Sequence, residues 1–147
     1  MRKEETIDHN IKAAWHAISR MYNQQATKHD ITTSIGFVLL NIHSEEGTPA
    51  TKIAPLMGLE ARSLTRMLKT MEEKKLIYRE QDRIDKRSVR IFLTELGKRK
   101  KEISRETVLL FNKRVREAVS ENKLKVFFEV INEINQLAVQ GILEAEE

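Results

Sequence analysis

The chain has 147 residues, of which 40% are hydrophobic, 33% charged and 5% aromatic, and it carries a net charge of +4. That supplies a core for one folding unit or two tightly joined lobes, and many charges with few aromatics favour long, salt-bridged helices over a β-rich fold. The absence of cysteine excludes disulfides, thiolate metal sites and thiol redox sensing. The opening MRKEETIDHNIKAAW has no signal-peptide core, and no run nears the roughly 20 apolar residues that span a bilayer, so a cytoplasmic protein without a membrane partner is expected.

Apolar side chains at Ile7, Ile11, Ala14, Trp15, Ile18 and Tyr22 follow the three-and-four spacing of one helical face, predicting a helix from Ile7 to about Gln25. A second helix is expected from about Thr32 to His43. Its Ile35, Phe37, Val38, Leu39, Leu40 and Ile42 make it apolar nearly all round, a buried centre ended by EEG at 45–47. Thr48 before Pro49 reads as an N-cap followed by a proline at the first helical position, opening a short helix that stops at Gly58. Pro55 predicts a kink or a 3₁₀ turn inside it.

The next helix, from about Glu60 to Lys75, puts Leu64, Met67, Leu68 and Met71 on one face and Arg62, Thr65, Arg66 and Lys69 on the other. LIYRE and SVRIFLT then alternate as two short strands, with Val89, Ile91 and Leu93 on one side. Thr94 with Glu95 predicts a helix to about Ala118, and Ser120 with Glu121 predicts another reaching nearly to the end of the chain. The last helix carries Leu124, Phe127, Phe128, Ile131, Ile134, Leu137, Ala138 and Ile142, a stripe wider than a single packing seam.

The charge is not evenly spread. Residues 60–93 hold ten Lys and Arg against six Asp and Glu, which is the whole surplus, while both flanks are balanced. A localised positive surplus is the footprint of a polyanion partner, or else a solvated face. The short helix, the Gly58 turn and the polar-faced helix form a helix-turn-helix signature: Ala54 is small enough for close approach, and Leu64 and Leu68 bury the inner side of the second helix. The outer side then offers Arg62, Ser63, Thr65, Arg66 and Lys69 to a major groove about 12 Å wide. A hairpin after such a helix is a wing, so Arg87 is expected in the minor groove, Arg83, Lys86 and Arg90 at phosphates, and Asp85 holding the neighbouring guanidinium in position. The first and last helices carry more apolar surface than a small winged helix covers, which favours a homodimer reading two half-sites about 34 Å apart.

Nearly the whole chain resembles the MarR family of bacterial regulators. The resemblance lies in LTRMLKTMEEKKLIYRE and above all in the wing DRIDKRSVRIFLT. There Asp85-Lys86-Arg87, six further residues ending in Leu93, and Thr94 are similar to the family's wing tip and Leu-Thr strand end, with Asp82 at its earlier aspartate. By that match Asp85 is the orienting acid, Arg87 the minor-groove arginine, and Thr65 and Arg66 lie at the DNA. The chain departs from the pattern at Arg83, where the family often has proline, at Glu60, where it often has serine or threonine, and at Pro55.

The resemblance implies a mainly α winged helix-turn-helix fold of about six helices and a two- or three-stranded wing. Residues 31–94 would be the DNA-binding lobe, and 1–30 with 95–147 the dimerisation helices. It also implies a transcriptional regulator, a repressor, bound as a homodimer to a pseudo-palindromic double-stranded DNA operator and released by a small lipophilic or aromatic effector. Trp15, Phe37 and His43 are the candidates for an effector pocket; the competing reading makes Trp15 and Phe37 packing residues. The four histidines show no ligand spacing, so neither metal nor cofactor is expected, and nothing resembles a catalytic nucleophile with its base. The rival function is a winged-helix module for protein assembly without specific DNA binding.

Overall fold

The computed structural model describes residues 1–144, which fall into two compact units, Met1–Thr107 and Val108–Glu147. Helix α1 spans Ile7–Thr27, α2 Thr33–Leu40, α3 Ala50–Met57, α4 Ala61–Glu73, α5 Glu95–Ala118 and α6 Glu121–Val139. Three short strands, β1 (Thr48–Pro49), β2 (Ile77–Gln81) and β3 (Val89–Leu93), form one antiparallel sheet in the order β1-β3-β2. No described helix is long and apolar enough to cross a membrane.

The core belongs to the first unit and is built around α2. Val38, Leu39 and Ile42 are fully buried against Ile53 of α3, Met71 of α4 and Ile91 of β3, with Leu64, Leu68, Leu76 and Leu93 closing the cluster. This is the apolar patterning of the sequence realised: the core side chains of α2, α3, α4 and β3 lie on the inward faces of their elements, and Ile42 and Leu76 sit in the turns that follow α2 and α4. Gly36 lets α2 approach the first half of α5, where an added Cβ would stand 3.0 Å from the Ser104 hydroxyl.

Three local expectations are corrected. Thr48 does not cap α3; the residue before a proline is pushed to extended backbone, so Thr48 and Pro49 pair with Ile91 and Arg90 as an edge strand. Pro49 becomes the N-cap, and the Thr48 hydroxyl accepts from the His43 N–H (2.9 Å) instead. Helix α2 ends at Leu40, three residues early, because the Asn41 amide takes the Phe37 carbonyl (2.8 Å) and His43 Nδ1 accepts from Glu45 and Glu46 N–H, winding the chain into a turn. Helix α3 stays α-helical through Pro55, with no 3₁₀ turn, since Pro55 and the Thr51 carbonyl it leaves unpaired lie on the exposed side.

Helix starts follow the caps expected of them. The Thr94 hydroxyl accepts from Gly97 N–H (3.0 Å) and the Ser120 hydroxyl from Lys123 N–H (3.3 Å). After α4 the chain reverses through Lys75, a non-glycine residue at φ 61°. Lys75 is exposed and its side chain holds nothing in place, so Lys75→Gly relieves left-handed strain at the cost of a more flexible unfolded chain. We expect a net gain of about 0.5 kcal/mol, read as a higher urea midpoint with an unchanged slope.

The basic run at 98–101 is a fastening, made by its three lysines. Lys98 pairs with Glu45 (3.6 Å), Lys100 donates to the His29 carbonyl (2.6 Å), and Lys101 donates to the Ile42 carbonyl (2.7 Å) and the Ser44 hydroxyl (2.9 Å). Burial pushes the Lys101 ammonium below its ordinary pKa.

Candidate nucleic-acid interface

Helices α3 and α4 meet at Gly58, which adopts the left-handed conformation (φ 63°, ψ 28°) that stops α3, while Leu59 N–H returns to the Ala54 carbonyl (3.0 Å). Ala54 is buried between the helices. Helix α4 has 13 residues and so is about 20 Å long. Leu64, Leu68 and Met71 anchor it to the core, and Arg62, Ser63, Thr65, Arg66 and Lys69 all face solvent. The Thr65 hydroxyl donates to the Ala61 carbonyl (2.9 Å), which leaves its lone pairs and methyl outward. Arg62, Arg66 and Lys69 make no ion pair among the described residues. Glu60 occupies the N-cap position without a side-chain capping bond.

The hairpin β2–β3 is registered so that Ile77 faces Leu93 and Arg79 faces Ile91, turning this side of the sheet toward the core. Arg79 Nε reaches Glu72 of α4 at 2.7 Å, tying the hairpin to the polar-faced helix. Tyr78 and Phe92 stack on the other side (5.3 Å, 14°), in a hollow of about 630 Å³ lined by Glu45, Glu46, Glu80 and Asp82 together with Arg83 and Arg90.

At the tip, the expected division of labour is reversed. Asp85 does not hold a guanidinium: its carboxylate accepts from Arg87 N–H (3.0 Å) and the Ser88 hydroxyl (3.1 Å), shaping the turn backbone. Nor is Arg90 a free phosphate ligand, because it donates to Asp82 (3.3 Å) and to the carbonyls of Glu46 (2.9 Å) and Gly47 (3.2 Å), bolting the wing to the α2–β1 turn. Asp82, only 7% exposed, is the organising acid. Its carboxylate accepts from Ile84 N–H (2.9 Å) and Asp85 N–H (3.3 Å) as well as Arg90. The sequence contained that signal as an aspartate opening a tight turn, whose side chain commonly binds backbone N–H groups two and three residues on. Arg83, Lys86 and Arg87 remain exposed and without ion pairs among the described residues.

The hydrogen bonds from Ile84 and Asp85, with the Arg90 charge behind them, hold the Asp82 carboxyl below the usual carboxylate range. A lowered folded pKa means that the contribution to wing order is complete above the unfolded value of about 4 and disappears as pH falls through the folded one. The expected result is an Ile84 amide resonance that holds its position down to about pH 4 and moves only below it, whereas Asp82→Asn removes that acid transition.

The structure brings two of the three effector-pocket candidates together. Trp15 of α1 lies 6.0 Å from Phe37 of α2, and Tyr22, which the sequence placed on the same helical face but not in the pocket, meets Phe37 edge-on at 5.9 Å. Trp15 is 52% exposed, so it is not the fully packed residue of the competing reading. His43 serves the α2–β1 turn, where its Nδ1 is already occupied by two backbone N–H groups.

Residues 31–89, which contain α2, both helices of the helix-turn-helix and the hairpin as far as the first residue of β3, match the MarR family. The helix-turn-helix lobe of this chain is thus of the MarR-family type. Among its relatives is the HTH-type transcriptional regulator TtmR of Methylorubrum extorquens, 36% identical over 88 residues; these cover 60% of this chain but only 45% of TtmR, so the likeness spans less than half of that relative. The MarR-type winged-helix fold extends further than the sequence match. A Staphylococcus aureus MepR–DNA complex superposes with a TM-score of 0.82 at 22% identity, covering 89% of this chain and 97% of that one. The PcaV regulator from Streptomyces coelicolor in complex with its natural ligand gives 0.79 at 17% identity, covering 94% and 97%.

Proposed function

We propose that the protein is a sequence-specific, double-stranded DNA-binding transcriptional regulator. In this reading it is a repressor, acting as a homodimer on a pseudo-palindromic operator and released by a small lipophilic or aromatic effector. The observation that carries the proposal is a pairing within one unit: an α4 outer face whose Arg62, Arg66 and Lys69 make no ion pair among the described residues, and a wing tip whose Arg83, Lys86 and Arg87 likewise make none. Cations already committed to carboxylates would have to break those pairs before meeting phosphate, and these do not. Thr65, Ser63 and Arg66 supply the hydroxyl and bidentate donors that read base edges in the major groove.

The dimer reading is supported by apolar side chains left in solvent within each unit, Ile7, Ile11 and Trp15 on α1 and Phe127, Phe128 and Leu137 on α6. MepR bound to DNA and PcaV bound to its natural ligand are the precedents for the DNA and effector parts. The test selects bound fragments from random duplex DNA and follows them by gel shift against salt and a library of small aromatic and acyl compounds. A two-fold symmetric consensus with half-sites about 34 Å apart is expected. Failure to retain any duplex at low salt would assign the lobe to protein assembly instead.

A further inference from the structure

The wing tip contains one residue that the fold does not use. Ile84 is 94% exposed, the only apolar side chain in the stretch from Asp82 to Ser88, and it projects from a tight turn, where glycine, asparagine, aspartate or serine is the ordinary choice. Its backbone is nevertheless among the best-held parts of the tip: Ile84 N–H donates to Asp82, which is anchored in turn by Arg90 and, through it, by the α2–β1 turn. The side chain is β-branched and therefore stiff, so fixing it against a partner costs little rotamer entropy. Arg83 precedes it, and Lys86 and Arg87 follow within three residues, all exposed and unpaired among the described residues. A rigidly presented isoleucine ringed by free cations matches an anionic partner that has an apolar interior.

We propose that Ile84 is a specificity-determining residue of the wing, an apolar wedge that enters the minor groove beside Arg87, between base steps or against the sugar walls, while Arg83 and Lys86 hold the flanking phosphates. The inference rests on the DNA-binding reading above and adds to it a contact that is not electrostatic. Side chains of this kind partly unstack a step and bend the duplex, so the wing prefers a pyrimidine–purine step, which is the easiest to open. Sequence preference then arises at a position where no hydrogen bond is made to a base.

The experiment uses a duplex selected from random DNA, the full chain and its Ile84→Ala, Ile84→Leu and Arg87→Ala variants, with affinity measured at several salt concentrations and bending by energy transfer between the duplex ends. Ile84→Ala should weaken binding about tenfold, equivalent to about 1.4 kcal/mol and near the lower bound for burying such a side chain. It should leave the salt slope unchanged, straighten the duplex and flatten the preference at the wing-facing step. Ile84→Leu should retain most of the affinity, and Arg87→Ala should instead reduce the salt slope by about one. An exposed residue can be truncated without unfolding the chain, and an unchanged thermal midpoint verifies this. Ile84→Ala binding within twofold of the parent, or losing affinity together with salt slope, overturns the wedge while leaving the DNA-binding reading intact. A parent chain that retains no duplex overturns both.

Discussion

Gly97→Ala is expected to destabilise the protein by about 3 kcal/mol and to lower its thermal midpoint by about 10 °C. Gly97 sits in the first turn of α5, where an added Cβ would overlap the Leu76 carbonyl oxygen. That oxygen cannot easily retreat. It accepts from Thr94 N–H (3.0 Å), while the neighbouring Lys75 carbonyl accepts from the Thr94 hydroxyl (2.6 Å), so the methyl group must break the junction between α4, β2 and α5 or push α5 away from it. Gly58→Ala is the informative contrast: nothing lies near its missing Cβ, so the cost is left-handed strain alone, about 1 kcal/mol. Thermal melts of the two variants measure the difference directly. A Gly97→Ala midpoint as high as that of Gly58→Ala would mean that the first turn of α5 can move without loss.

Arg66→Ala should cost roughly ten- to a hundredfold in affinity for the selected operator, the range of one bidentate base contact, and much less on unrelated duplexes. Lys86→Ala should weaken binding to every duplex and lower the salt slope by about one. The two residues separate cleanly because their supports differ. Arg66 projects from a helix pinned by Leu64, Leu68 and Met71, and its guanidinium has no ion-pair partner among the described residues, so its removal leaves the lobe intact. Lys86 sits on the hairpin turn, where only its backbone carbonyl is used, by the Gln81 amide (2.7 Å). Equal losses on operator and random DNA would show that Arg66 meets phosphate rather than a base edge.

Much of this arrangement was legible before any coordinates. The helix of α1, the polar-faced helix α4, the hairpin and the caps at Thr94 and Ser120 all follow from periodicity of 3.6 or 2 and from hydroxyl-bearing residues at helix starts, and α5 ends at Ala118 as the sequence predicts. These are local signals: each is carried by residues within one or two turns of one another. Two of the errors have a cause of the opposite kind. Thr48 looks like a cap until its partner Ile91 is brought alongside, and Arg90 looks like a free cation until Asp82, Glu46 and Gly47 surround it.

The amino-acid sequence by itself determined the order of the six helices and the hairpin, the inward face of α4, and the concentration of positive charge between residues 60 and 93, because these depend on spacing along the chain. Only the tertiary structure decided which of the chain's positive charges are free. Arg62, Arg66, Lys69, Arg83, Lys86 and Arg87 stand in solvent, whereas Arg79, Arg90 and Lys98 are committed to carboxylates and Lys101 to a carbonyl and a hydroxyl. The physical reason is range. A helix or a cap is written in neighbours a few residues apart, but a side chain's availability depends on groups that folding delivers from as far as 71 positions away, as it does for Lys100 and His29.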